Sequence, residues 1–428
     1  MNVLLLGNGF DINVNLPTKY CDFLHTVEYL INESATRFRF VGEVFSSQDL
    51  QIKNSFIMAC YNKHKEAFDE TVLAEDEIDK LVSIAQKNIW FTYLLNSFDK
   101  DVGWIDFERE IATVIHSFQR FLPDLQTQFY DKNLPTASID RYIINRFSFF
   151  YQQTRNASVS NTGQRIPALY AVDKKYIIEY PLGSGIQIVN CERIIETLEV
   201  ELKALAQCLK LYLHCFVERP VEVLVKKAKL TRINAFKYTN QVITFNYTHT
   251  YEKLYSCDQV FHIHGDTNKT IVLGVNPDKS DEGENIDTSF LKFKKYYQRT
   301  VNKSDSEYLR WLVEQQDNTE LINPEKISLL IMGHSLDVTD RDIIEELFLI
   351  SNDITILYHN DDALSSMVTN LVRIFGREKF YNLRTKNKLT FLHLGSDFTE
   401  YLEGRKITSK TIMEHQIELL QKQSMTFV

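Results

Sequence analysis

Val3-Leu4-Leu5-Leu6-Gly7-Asn8-Gly9-Phe10-Asp11 is the stretch from which the fold can be read. Four consecutive apolar residues leave no polar face, so the run reads as a strand covered on both sides, as in parallel sheets. It breaks into Gly-Asn-Gly, and glycine tolerates positive φ and lets another backbone or a ligand come close. The stretch is therefore a buried strand entering a glycine loop that forms part of a nucleotide-type ligand site. In open parallel sheets, ligands bind beyond the carboxyl ends of strands. A strand-to-helix loop can also cradle phosphate with its N–H groups. The dinucleotide fingerprint GxGxxG would place a third glycine at position 12, where Ile12 stands, so the ordinary fingerprint is excluded. A tight turn without ligand is the competing reading. Asn8 and Asp11 weigh against it, because a core turn does not need their polar groups.

Working outward, six more apolar runs share this texture: 241–245, 260–264, 271–273, 327–332, 354–358 and 389–393. They predict an α/β fold with a Rossmann-like, mainly parallel sheet. More than 200 residues of mainly helical periodicity separate the first run from the second, whereas a βαβ crossover needs only about a dozen. A large, mainly helical domain inserted over 18–235 accounts for the gap. The α/β domain is then 1–17 plus 236–400, and 401–428 is a C-terminal helix. Helices are expected over 18–31 (Thr18 as N-cap after Pro17), 50–68, 75–98, 105–121, 139–153 and 191–217. The stretch 166–189, with Pro181, Gly183 and Gly185, reads as a small β excursion, and 156–165 as a polar loop.

The bulk properties narrow the function classes. A net charge of −9 is not that of a surface built as a whole to hold nucleic acid. The 28 Phe and 21 Tyr argue against disorder. None of the six cysteines forms a CxxC pair, so a reducing, cytoplasmic setting is expected. No secretory signal is read, and no run reaches the roughly 18 apolar residues of a membrane span. A homo-oligomer is expected.

Four further segments repeat the pattern of an apolar run ending in polar residues or glycine: Thr244-Phe245-Asn246-Tyr247-Thr248, His262-Ile263-His264-Gly265-Asp266, Leu273-Gly274-Val275-Asn276 and Met332-Gly333-His334-Ser335-Leu336, the last followed by Asp340 and Asp342. With the amino-terminal loop they outline one crevice built from several strand ends.

These motifs resemble those of AbiH-type abortive-infection proteins of bacteria. The resemblance is carried by Gly7-Asn8-Gly9-Phe10-Asp11 with Leu16-Pro17-Thr18 and Asp22-Phe23-Leu24, by Trp104-Ile105-Asp106-Phe107-Glu108, and by Phe245-Asn246-Tyr247, His262-Ile263-His264-Gly265 and Gly333-His334-Ser335-Leu336. It implies a role in defence against phage, with a phage-derived trigger or partner protein. A more distant similarity is to sirtuins and sirtuin-like NAD-hydrolysing domains, which carry a glycine loop, a Thr-x-Asn-x-Asp motif, a His-Gly and a Gly-x-Ser. Here Gly7/Gly9/Pro17, Thr244/Asn246, His264/Gly265 and Gly333/Ser335 follow in that order. The similarity implies NAD as substrate or ligand, held by Gly7, Gly9, Asn246, Gly333 and Ser335, with His264 as the catalytic residue. Thr248 stands where that family has Asp, and the zinc ribbon is absent, so deacetylation does not follow.

Breaking the nicotinamide–ribose bond needs a base for water or a ribose hydroxyl. His264 suits that task, its ordinary pKa being near neutrality. Asn246 would position water and ribose with its donor and acceptor. Gly7, Asn8, Gly9, Phe10 and Asp11 would hold the pyrophosphate, with Thr244, Gly265, Gly333 and Ser335 completing the cofactor contacts. No metal is expected on this reading. Against it, His262 and His264 lie two apart on a strand and share a face, which is metal-ligand spacing; with Asp266 or His359 they would serve a metal hydrolase or nuclease. Asp106 reads as a helix N-cap, and Asp340 and Asp342 as acidic residues starting a helix over 341–350. The basic and aromatic run 292–299 reads as an amphipathic helix with a solvated basic face. The alternative for that run is single-strand binding, and with it a sensor without chemistry of its own.

Overall fold

Six strands form the central sheet: β1 (Asn2–Leu6), β2 (Gln241–Thr244), β3 (Val260–His262), β4 (Ser328–Met332), β5 (Asp353–Tyr358) and β6 (Leu389–His393). The structure, a computed structural model, describes residues 1–33, 38–98, 106–128, 133–135, 141–153, 169–179, 187–233, 239–276, 288–319 and 326–395, with a few single residues between. Every ladder of the sheet is parallel, and the order across it is β3-β2-β1-β4-β5-β6. From β1 the chain first builds outward to β2 and β3, then crosses back to β4 on the other side. The direction therefore reverses between β1 and β4, where a doubly wound sheet opens its crevice.

The apolar run at 3–6 is buried throughout because each face of β1 meets its own core. Leu4 and Leu6 join a core that continues through Phe23, Phe91, Phe107 and Tyr212 of the helical region. Val3 and Leu5 join a second core with Trp311, Ile344, Phe348 and Leu371, from helices on the opposite face. The period-2 alternation of the strand decides which core each side chain enters.

Several expected elements divide where a polar side chain can cap. The 50–68 periodicity is two helices, Gln48–Lys53 and Ser55–Glu70, parted at Asn54, whose Oδ1 accepts from the N–H groups of Phe56 and Ile57 at 3.1 Å. Asn88 divides 75–98 likewise, accepting from Phe91 N at 2.8 Å. Lys19, not Thr18, is the N-cap residue of helix Tyr20–Asn32, and the Asp22 carboxylate accepts its N–H at 3.0 Å. Expected as a helix, 139–153 instead holds a 3-10 turn (Ile143–Arg146) and a strand (Phe150–Gln153) paired with Leu169–Val172. Aromatic Phe147, Phe149 and Phe150 are buried there, and rings of that size suit a pleated, half-buried surface. Within the expected β excursion of 166–189, the described residues hold three short strands, Leu169–Val172, Ile177–Glu179 and Gln187–Val189.

Ile271, Val272 and Leu273 are buried but form no strand. A side chain does the work of a neighbouring strand: Gln298 Oε1 accepts from Leu273 N at 3.0 Å, and its Nε2 donates to Leu273 O at 3.1 Å. The loop expected at 156–165 and the helix at 401–428 lie outside the described residues. Among the described residues, no helix is long and apolar enough to cross a membrane.

Candidate functional site

At the reversal point the loops after β1 and β4 interlock. Gly7 N donates to Met332 O at 3.0 Å, and Gly9 N to Gly333 O at 2.8 Å. A Cβ on Gly7 or Gly9 would stand 2.6 Å from the backbone of residues 333–334, and Gly333 itself holds φ at 71°. The glycines are required because two main chains touch. Of the amides expected to cradle phosphate, those of Gly7 and Gly9 are taken by the end of β4 and its loop, and that of Phe10 by Gly7 O. Gly265, at φ 74°, abuts the Thr270 carbonyl in the same way. Phe10, expected at the ligand, is a core residue between Phe236 and Tyr251. Asn8 Nδ2 donates to Thr18 O at 3.0 Å, tying the loop to the start of the helical region. Ser335 is exposed at the mouth, and its carbonyl accepts from Asn370 Nδ2.

Beside this interlock lies a buried charge centre drawn from both sides of the sheet's end. Lys295 Nζ sits 2.6 Å from Glu108 Oε2 and 2.8 Å from Asp340 Oδ1. His264 Nε2 lies 3.3 Å from Asp340 Oδ1, and His334 Nε2 lies 3.4 Å from Asp340 Oδ2. His334 Nδ1 accepts from Leu336 N at 2.9 Å, so its Nε2 carries the proton toward Asp340. Leu336 holds a left-handed φ of 55°, strain placed in the loop that carries Asp340.

Electrostatics sort these groups. Burial pushes the Glu108 carboxyl up to about 7, against the pull of Lys295. Burial also works on Asp340, but Lys295 and then His264 outweigh it and hold Asp340 well below the usual carboxylate range. For His264, burial and then the Lys295 charge bring the imidazole down to about 4. It is therefore neutral near pH 7. Lys295 is held above its ordinary value by the two carboxylates, although burial opposes them.

Two members of this centre, Lys295 and Asp340, were seen in the sequence with other roles, and Asp106 beside it as a helix cap. The basic residues of 292–299 are mostly not solvated: Lys292 is exposed, but Lys294, Lys295 and Arg299 are buried, with Arg299 paired to Asp342 and Asp305. Asp340 begins helix Arg341–Ile350 as expected, but its carboxylate turns to the cluster instead of capping. Asp106 is the N-cap foreseen, accepting from Arg109 N at 3.1 Å, and it thereby sets Glu108 in the first turn facing Lys295.

Asn246 and Asp11 line the β2 side. Asn246 N donates to Thr244 Oγ1, and its carbonyl accepts from His262 Nδ1 at 2.9 Å. Asn246 Oδ1 is buried without a hydrogen-bond partner, and so is Asp11 Oδ1. Asp11 Oδ2 accepts from Thr248 Oγ1 at 2.5 Å. Burial raises Asp11 to about 7, although that hydrogen bond pulls it down. His262 and His264, expected to share a face, part company: His264 turns to Asp340, and His262 to Glu252 at 2.5 Å. A cleft of about 440 Å³ lies elsewhere, between helix Cys191–Leu213 and residues 269–302, and contains none of the expected site residues.

The family model for bacteriophage abortive infection AbiH matches residues 3–359. No curated protein and no solved structure matches the chain, so the similarity to sirtuins rests on its motifs alone. The match covers most of the chain and includes every strand-end motif except the last strand's: the chain belongs to the AbiH family of bacteriophage abortive infection proteins.

Proposed function

We propose that this AbiH-family chain is an abortive-infection effector that takes NAD or a related nucleotide at the carboxyl ends of β1 to β4 and hydrolyses it. The observation that carries the reading is His264, kept neutral beside Asp340 at the point where the strand order reverses. The order 3-2-1-4-5-6 is that of dinucleotide-binding Rossmann folds, whose ligands bind at this reversal. Water would attack C1′ of the nicotinamide ribose, the C1′–N bond would break, and nicotinamide would leave with the bonding pair. The proton lost by water goes to His264. Asp340, 3.3 Å from Nε2, would stabilise the imidazolium that results. Asn246 Oδ1, buried and unpartnered, would accept a hydroxyl from ribose or water. The glycine amides being engaged with β4, the proposal gives ligand contact to side chains and leaves Gly7 and Gly9 to pack the backbone.

Purified wild type, Asn246→Ala and His264→Ala, each shown to be folded, are compared for NAD turnover with and without phage lysate. Loss of about 100-fold or more in both variants is expected, as for removal of a general base. The wild-type rate should fall only as pH drops toward about 4, where His264 takes a proton. Equal turnover in all three proteins removes these residues from the chemistry. Binding without turnover assigns the fold to nucleotide sensing.

A further inference from the structure

A second polar cluster, away from His264 and Asp340, has the build of a metal site. His249, Glu252 and His262 each bring a ligand atom within 4.8 Å of the other two. Each histidine is held by its other nitrogen. His249 Nδ1 lies 2.9 Å from Glu218 Oε1, while Asn268 Nδ2 approaches its Nε2 at 3.3 Å. An amide Nδ2 only donates, so the His249 proton sits on Nδ1 and the Nε2 lone pair accepts from Asn268, an exposed side chain that an ion would displace. His262 Nδ1 donates to the Asn246 carbonyl at 2.9 Å, which leaves the Nε2 lone pair pointing at Glu252 Oε1. A proton shared between the two atoms satisfies this contact, and a metal ion taking the proton's place would part them to about 3.3 Å, as bonds of about 2.0–2.1 Å at tetrahedral angles require. Glu252 Oε2 is buried with no hydrogen-bond partner.

The surroundings support a cation. Three carboxylates, Glu218, Glu252 and Asp266, stand near two ammoniums: Lys253, held by Glu218 and Glu222, and the exposed Lys269, 3.9 Å from Asp266; Glu252 has neither as a partner. Asp266 Oδ1 is 3.7 Å from His249 Nε2, within reach as a fourth ligand. Glu218 is itself fixed from several sides, accepting from His249 N at 2.7 Å and Thr267 Oγ1 at 2.9 Å. It occupies a π-helical turn, His214–Glu218, inside a long helix. Pro220 follows two residues after Glu218. Proline lacks an N–H and crowds the carbonyl four residues back, and a widened turn relieves both faults. Carboxylate–histidine pairs of this kind orient metal-binding imidazoles and raise their basicity.

We infer that His249, Glu252 and His262 form a binding site for a first-row divalent cation, with zinc the ion that best matches two imidazoles and one carboxylate. Such ligand sets hold zinc in hydrolytic enzymes and leave a coordination position open. Glu218 is a positioning residue, acting on the ion through His249. Partial exposure of His249 gives the ion access from solvent. The inference is independent of NAD cleavage, since its readout is the ion itself.

The test uses the full chain, stripped with a chelator and titrated with Zn²⁺ by calorimetry, with metal counted by elemental analysis after desalting. One equivalent is expected for the wild type, with a raised melting temperature and no response to Mg²⁺. Glu252→Gln and His262→Gln should lose that equivalent. Glu218→Gln, which keeps most hydrogen bonds, should weaken binding by about 10- to 100-fold. Should a ligand variant fail to unfold cooperatively, Glu218→Gln decides. Absence of stoichiometric zinc on the wild type, or equal binding by all the variants, overturns the site and leaves His262 and Glu252 as a hydrogen-bonded pair.

Discussion

At the scale of single residues, Asp340 gathers Lys295, His264 and His334 into one buried charge centre that no local stretch of sequence displays. His264 and Asn246 were recognisable because each ends an apolar run. Lys295 and Glu108 were not, because a lysine among aromatics has the same signature whether its ammonium faces water or a buried carboxylate. Only the long-range meeting of helix Phe107–Gln128 with residue 295 separates the two. Asp11 supplies a prediction at this scale. Its carboxyl rises from 3.8 to about 7 in the folded chain, so the folded state keeps a proton that the unfolded state releases. Stability held by the protonated form is complete below about pH 4 and is lost as pH rises toward 7. His264 acts oppositely, costing stability as pH falls from about 6.5 toward 4. Comparison with Asp11→Asn isolates the first effect. The variant's advantage over wild type in urea unfolding should grow from near zero at pH 4 to as much as about 4 kcal/mol by pH 8. A pH-independent difference would show that Asp11 ionises freely.

At the scale of elements, strands were legible and helix boundaries were not. Five of the six later apolar runs are strands of the central sheet; the sixth, 271–273, has the same composition but finds a glutamine instead of a neighbouring strand. Composition reports burial, and burial alone does not require a ladder. Helices were read as too long because asparagine inside a periodic stretch looks like a surface residue until its side chain is seen to cap. Asn54 does two jobs: its oxygen caps helix Ser55–Glu70, and its Nδ2 donates to the buried Asp22 at 2.8 Å. Asn54→Ala removes the cap, worth about 1 kcal/mol, and strips a buried carboxylate of a donor, worth about 1–3 kcal/mol. A loss of about 2–4 kcal/mol in chemical denaturation is expected, against about 1 kcal/mol if the cap alone matters.

At the scale of the molecule, the sheet and the helical region share a core. Leu4, Leu6 and Met332 of the sheet lie in one continuous cluster with Phe23, Trp90 and Tyr212. Heating should therefore give one transition, with calorimetric and van't Hoff enthalpies in agreement; two resolved transitions would show that the regions are separate cooperative units. Replacing 18–235 by a short linker should yield insoluble chain, because one face of β1 loses its cover. The position of β1 also has a consequence in time. Its partner on one side, β4, is paired through Met332, which lies 326 residues after Leu6 (332 − 6). At about 5–20 residues per second of synthesis, the central strand of the sheet waits roughly 15–65 s on the ribosome for that neighbour. For roughly the last third of that wait, once residue 235 has been made, the helical region is available to cover Leu4 and Leu6.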